Sequence, residues 1–457
     1  MSAIVDGKST GLRTVPDGIV IIGGGWAGLA AAVELTRQGR KPVVLEAART
    51  LGGRARSMRT ASQILNNGNH LLLGSYRSVL GILRTIGVPE ARVFRRLPLG
   101  LTLKSTFGTE IELQTRALPA PLHLMWALAT AEGLSVEASV AAARLLWRAR
   151  RTGFDVHPDV ALIYYLRSAN QPADTVRALW QPLCHAALAT PIERASTRLF
   201  LRILRDVFFS RRHESDLLIP IAPLVECLPQ PAAEYIEAHG GSVRVGTRVQ
   251  TLEVDEHGTI TGVQLRGQTL PARQVIVATA PDAAAALLQP HAATAELAQQ
   301  CAGLEMCPIN TLYLQYAAPV RLPRPLVGVL DGTVQWLFDR GDVAETPWQI
   351  AAVIAGPGPH ARLSNDALTK LMLADVAKLY PQWPAPRAVQ LIREKRAILA
   401  ATHENDATRP RGTTAIKGLW LTGDYTAAGF PASLEAAVRS GIVCARRVIR
   451  DAQRIQS

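Results

Sequence analysis

Between Gly18 and Ala47 the chain reads GIVIIGGGWAGLAAAVELTRQGRKPVVLEA, and few folds accommodate that order. Ile19 to Ile22 is a short, wholly apolar, β-branched run, suited to a parallel strand buried on both faces. Gly23, Gly25 and Gly28 follow at G-x-G-x-x-G spacing. The first permits a tight turn, the second lets a pyrophosphate approach the backbone, and the third packs helix against strand. Ala30 to Arg37 continues as a helix that Gly39 ends, Pro42 to Leu45 gives a second strand, and Glu46 closes it. An acid at that spacing holds a ribose hydroxyl. The series predicts an α/β, Rossmann-like domain with a dinucleotide at the helix N-terminus.

Size and composition leave room for more than that domain. The chain has 457 residues, enough for two or three domains, and 48 % hydrophobic with 19 % charged residues reads as globular. No apolar run is long enough to span a bilayer. Met1 to Asp17 reads as a flexible leader without the apolar centre of a signal peptide. Cys184, Cys227, Cys301, Cys307 and Cys444 show neither CxxC spacing nor a disulfide pattern, which points to the cytoplasm and to no metal. Net charge is +13. No nucleic-acid motif accompanies it, so nucleic acid is excluded as a partner. Ala141 to Phe154, AAARLLWRARRTGF, interleaves arginines with Leu145, Leu146, Trp147 and Phe154. That pattern suits an interfacial helix on a membrane, or equally a surface helix whose apolar stripe faces its own core.

A second glycine element narrows the cofactor. LGGRARS, Leu51 to Ser57, places Gly52, Gly53 and Arg54 just past the acid. NAD enzymes have no use for it there, whereas an extended FAD runs beneath such a loop and an arginine can meet its phosphates. Glu46-Ala47 followed by Gly52-Gly53-Arg54 resembles the flavin amine oxidase and phytoene desaturase superfamily. The chain departs at Ala48, where many members carry an arginine that is here Arg49.

That resemblance implies a contribution from far along the chain. GDYTAAGFPASLEAAVRSG, Gly423 to Gly441, follows a strand-like run and matches the superfamily's strand, Gly-Asp, loop and helix, with the helix expected from Pro431. By resemblance Asp424 accepts hydrogen bonds from FAD hydroxyls, and the N–H groups around Ser433 and Leu434 sit at a helix N-terminus near the flavin. Val249, in the strand-rich middle piece, is the matching backbone contact to adenine. The FAD domain is therefore expected to be discontinuous, from 18–75, 225–307 and 399–457. An α+β substrate domain is expected from 76–224, mainly helical, and 308–398. No cysteine lies near the ring-binding segment, so noncovalent FAD is expected.

Four further stretches are similar to the hydroxysqualene dehydroxylase family: NNGNHLLLGSYRSVLGILRTIG, WQPLCHAALATPIERAS, SDLLIPIAPLVECLPQPAAEYIEAHGGSVRVGTRV and LTGDYTAAGFPASLEAAVRSG. The likeness runs from about Gly18 to Ala445. Departures stand at Asn66 to His70, at Ala189 where asparagine is expected, and at His185. The resemblance implies reductive removal of a hydroxyl from a C30 isoprenoid to give squalene for hopanoid or triterpenoid synthesis. It also implies peripheral association with the inner face of the cytoplasmic membrane, where such a substrate resides. His70 is the candidate proton donor to the leaving oxygen, against the plainer reading that it hydrogen-bonds backbone or flavin; His185 is a weaker candidate. No motif names the electron donor. An oxidative desaturase acting on a squalene- or carotenoid-like chain, or a non-catalytic prenyl-lipid carrier, are the competing readings.

Overall fold

The computed structural model describes residues 15–59, 64–341 and 347–456. Most of the expected leader lies outside them. The apolar runs do form a parallel sheet, and its order shows how the chain is threaded: Ser242–Arg244, Val43–Leu45, Ile19–Ile22, Gln274–Val277, Leu419–Leu421. Three distant pieces of sequence thus share one sheet. Alternate side chains feed two cores. Ile19, Ile21, Val44 and Ile276 pack beneath the helices Trp26–Arg37 and Leu434–Gln456. Val20, Ile22, Val43, Val275 and Leu421 face the helices Pro281–Leu288 and Ala295–Gly303 and an antiparallel three-stranded sheet. The two long helices on the first face approach closely, since a Cβ on Gly441 would stand 2.2 Å from the Ala27 carbonyl oxygen.

A second, seven-stranded sheet runs in the order Ala388–Leu399, Met306–Gln315, Gln349–Ala355, Trp336–Asp339, Leu326–Val329, Gly100–Lys104, Glu110–Gln114. Strand Met306–Gln315 shows its logic. Leu312 and Leu314 pack with the helix Asn365–Leu379, while Ile309, Thr311 and Tyr313 turn to the opposite face. Over that opposite face lies a helical layer, including Leu122–Ala129, Val136–Arg151, Gln181–Leu188 and Thr197–Phe208, around a core of Leu145, Leu166, Trp180, Phe200 and Leu204.

Three details differ from the sequence reading. Residues 77–97, grouped above with the substrate block, pack on the FAD side: Val79, Ile82, Leu83, Val93 and Phe94 join the core under the parallel sheet. The Glu435 carboxylate also accepts the N–H groups of Ser78 and Val79 at 2.9 and 3.1 Å, capping the helix Arg77–Thr85. The mainly helical block contributes a hairpin, Gly100–Lys104 with Glu110–Gln114, that extends the seven-stranded sheet. The late helix begins at Leu434, not Pro431; Ser433 Oγ accepts the Ala436 N–H at 3.2 Å and acts as its N-cap. In the arginine-rich helix Val136–Arg151 the stripe Ala138, Ala142, Leu145, Leu146 and Ala149 is buried, so it faces the protein's own core, yet Trp147 remains 61 % exposed.

Candidate active site

The three early glycines have three different jobs. Gly23 has φ +113°, and a Cβ there would stand 2.7 Å from the Ala278 carbonyl oxygen, so the turn requires glycine. At Gly28 a Cβ would collide with the Gly23 carbonyl oxygen at 2.0 Å, which locks helix to strand. Gly25 differs: its added Cβ would find only the Gly53 Cα within 4 Å, at 3.8 Å, and both glycines border a cavity. Gly25 is also the N-cap of the helix Trp26–Arg37, with no side-chain cap and no acid in the first turn. The first N–H groups of that helix therefore offer an uncapped, partly positive end to an anion. Gly52 N–H donates to the Gly24 carbonyl at 2.9 Å, drawing the second glycine pair against the first.

Glu46 is held between the first glycine turn and its own loop. Its Oε2 accepts the Gly24 N–H and its Oε1 the Ala48 N–H, each at 2.7 Å, which aligns the carboxylate at the cavity edge beside Ala47. Val249 lines the same part of the cavity. The other half of the cradle comes from 370 residues along the chain. Arg54 Nη2 bonds Asp424 Oδ1, and Arg54 Nη1 donates to the Ala397 carbonyl at 3.1 Å. The two groups expected to meet FAD separately thus meet each other first. Asp424, Ser433 and Leu434 all border the cavity.

Some contributors had no signal in the sequence. Asn67 Nδ2 donates to the Arg54 carbonyl (3.2 Å) and to Glu394 Oε2 (3.0 Å), joining the glycine-arginine loop to the seven-stranded sheet. The buried Arg409 donates through Nη1 to the carbonyls of Ala427 and Phe430 at 2.9 and 2.6 Å, and Asp406 accepts the Gly429 N–H. Arg409 Nε also pairs with Asp406 Oδ1 at 3.1 Å, and together the two residues fix the loop that leads into Ser433.

His70, the candidate proton donor, lines the cavity, and its surroundings favour the neutral ring. Burial drives its imidazole down to about 4, with the Arg54 charge adding and the Gly68 carbonyl opposing. The ring is neutral near pH 7. Its Nδ1 lies 3.3 Å from the Gly68 carbonyl, so the tautomer assigned by that contact carries the proton on Nδ1 and leaves Nε2 an acceptor. That contact is the backbone hydrogen bond of the plainer reading. His185 also lines the cavity and is likewise pushed down by burial. Ala189 ends its helix at φ +47°, a conformation asparagine tolerates better than alanine, which accounts for the asparagine expected there.

From this cradle one cavity of about 1440 Å³ continues between the seven-stranded sheet and the helical layer. Its far walls are apolar, with Leu101, Leu128, Leu146, Leu179, Phe208 and Phe338 among them, broken by the Arg202–Asp206 ion pair. A pocket for one small ligand occupies roughly 300–1,000 Å³, so there is room for a cofactor and a second, apolar molecule. The glycine floor, the uncapped helix end and the aligned carboxylate fit the diphosphate and ribose of a dinucleotide. None of the five cysteines, all buried, lines the cavity.

Comparison with known proteins agrees with this geometry. The sequence model of the family "Flavin containing amine oxidoreductase" matches residues 26–449. A hydroxysqualene dehydroxylase of Rhodopseudomonas palustris is 28 % identical, over 92 % of this chain and 96 % of that protein. A 15-cis-phytoene desaturase of Glycine max is 23 % identical, over 96 % of this chain and 80 % of its own length. Among solved structures, an oxidoreductase from Methanosarcina mazei superposes with a TM-score of 0.76 at 16 % identity, covering 94 % of this chain and 99 % of that one. At that identity the likeness is one of fold.

Proposed function

The chain belongs to the flavin-containing amine oxidoreductase family, whose cofactor here is FAD, and from that premise we propose that it reductively removes the hydroxyl of hydroxysqualene to give squalene. The observation that carries the reading is the single cavity, polar and glycine-floored at one end and apolar at the other, in a chain similar over nearly its full length to hydroxysqualene dehydroxylases. When bound and reduced, FAD would supply the hydride equivalent that, with one proton, replaces the hydroxyl and lets it leave as water.

The protein's own part is to bind, orient and keep water out. Gly23, Gly25 and the helix N-terminus at Trp26 would hold the diphosphate, Glu46 a ribose hydroxyl, and Gly53, Arg54, Asp424, Ser433 and Leu434 the flavin end. The Arg54–Asp424 pair closes the cradle from both chain segments. Leu128, Leu146 and Phe338 offer a C30 chain apolar surface on both sides. His70, neutral and bonded to the Gly68 carbonyl, would border the reacting region as an acceptor.

The lipid substrate calls for a route from a membrane, and the helical layer supports one. The inner faces of Leu122–Ala129 and Val136–Arg151 line the cavity through Leu124, Leu128 and Leu146. Their outer faces expose Leu122, Trp126, Val140 and Trp147 among Arg144, Arg148 and Arg151. Aromatic residues with arginines suit the headgroup level of an anionic bilayer. Among the described residues no helix is long and apolar enough to cross a membrane.

The decisive experiment reduces the flavoprotein anaerobically and adds hydroxysqualene. Return of the oxidised flavin band with stoichiometric squalene is expected. Bleaching of the oxidised enzyme by squalene would instead make the protein a desaturase, and a colourless protein that takes up no FAD would make it a carrier.

A further inference from the structure

The face of the seven-stranded sheet toward the cavity presents one row across four adjacent strands: Ile392, Thr311, Val353, Trp336. Register fixes it, because Thr311 pairs with both Ile392 and Val353, and Val353 pairs with Trp336. All four line the cavity. Two of them carry polar atoms, Thr311 Oγ1 and Trp336 Nε1, and neither atom has a hydrogen-bond partner in the protein. Thr311 is 1 % exposed and Trp336 5 %. A buried hydroxyl is nearly always bonded, and valine would fill the same volume at no such cost.

Of the two, Thr311 is placed on the cofactor side. The rows before and after it on the sheet are both tied to the loop Asn66–His70. Tyr313 Oη donates to the Asn66 carbonyl at 2.8 Å, and Glu394, the strand partner of Ile309, accepts from Asn67 Nδ2 at 3.0 Å. Asn67 leads through the Arg54 carbonyl to the Arg54–Asp424 pair. Trp336 leans the other way: a Cβ on Gly328, one strand further out, would stand 3.1 Å from the tip of its ring.

We propose that Thr311 is a positioning residue whose hydroxyl donates a hydrogen bond to the oxygen of a long-chain allylic alcohol, so that the carbon bearing it stops opposite the cofactor. The inference rests on the isoprenoid-alcohol reading above. An isoprenoid chain repeats the same apolar unit, and an apolar tunnel holds it almost equally well at several registers. One hydrogen bond selects a single register. The same bond separates alcohol from hydrocarbon, because a site built to bond a hydroxyl disfavours the analogue that lacks one. Substrate is thereby held and the hydrocarbon product released more readily.

The test uses the FAD-loaded, oxidised protein in detergent and reads binding without turnover. Perturbation of the flavin absorbance gives dissociation constants for hydroxysqualene and for squalene in wild type, Thr311→Val and Thr311→Ser. Thr311→Val is expected to weaken the alcohol about five- to tenfold. Squalene affinity, flavin content and the unfolding midpoint should stay at wild-type values or higher, and Thr311→Ser should restore the preference. A Thr311→Val protein that keeps the wild-type preference for alcohol overturns the assignment and leaves the proposed reaction standing. A wild type that binds alcohol no better than squalene overturns the assignment alone, and one that binds neither overturns both. If Thr311→Val loses its flavin, Thr311→Ala, which only removes atoms, carries the same comparison.

Discussion

The two ends of the cavity are built on opposite plans. At the cofactor end the work is done by backbone groups: Gly25 bordering the cavity, an uncapped helix end, and Glu46 pinned by N–H groups of Gly24 and Ala48. At the far end it is done by side chains spread over many elements, such as Leu101, Leu128, Leu179 and Phe338, none of which forms a motif. A surface made of backbone tolerates almost no added atom. One made of many apolar side chains gives up a little for each change, and its specificity then depends on the few polar atoms it contains.

The sharpest way to break this contrast is Gly25→Val. Its backbone, at φ −78°, accepts valine, so the protein should fold, but the side chain enters the cradle. We expect FAD affinity to fall about a hundredfold or more with the far-ultraviolet circular dichroism spectrum unchanged. Wild-type flavin content would show that the cradle is not where Gly25 places it.

At the border of the two ends stands His70. Its folded value, about 4, lies below the ordinary value of 6.5. The unfolded chain therefore takes up the proton first as pH falls, and the stabilisation present above about pH 6.5 is lost progressively down to pH 4. The full difference is about 3 kcal/mol. Denaturant melts of wild type and His70→Gln across that window should show a shallower slope in the variant. Parallel curves would mean that His70 titrates normally and could serve as an acid after all.

The smallest effect on stability is expected outside the cavity. Trp147→Ala should change folding by no more than about 0.5 kcal/mol. Combined with Arg151→Glu, it should lower flotation with anionic phospholipid vesicles about fivefold or more. Undiminished flotation would place the lipid-facing surface elsewhere.

What could be read from the sequence divides along the same line. The cradle was legible because its physics is local: strand, glycines, helix and acid lie within thirty residues, each demanded by a turn or an approach of backbone. The pairing of Arg54 with Asp424 across 370 residues was not, nor that of Asn67 with Glu394 across 327, since nothing near either partner marks it. Residues 77–97 look like any amphipathic helix and strand. Only their packing under the parallel sheet, with Glu435 capping the helix, assigns them to the FAD side. Thr311 stands in the stretch Ile309 to Leu314 beside Asn310 and Tyr313, and alternation alone could not say which of these polar groups met a cavity.

The threading of the parallel sheet has a consequence for biosynthesis. Strand Gln274–Val277 has Ile19–Ile22 on one side and Leu419–Leu421 on the other. Until the ribosome has passed residue 421, that edge is bare. Until it has passed Leu434 the apolar face of the helix Trp26–Arg37 lacks its neighbour. More than 140 residues are translated between the second and the last of these strands, at roughly 5–20 residues per second. For that interval a nascent chain displays an unpaired, β-branched strand edge to solvent. Production of this protein should therefore depend on a chaperone that shields such edges, and on FAD arriving late, when the Asp424 segment can close on Arg54.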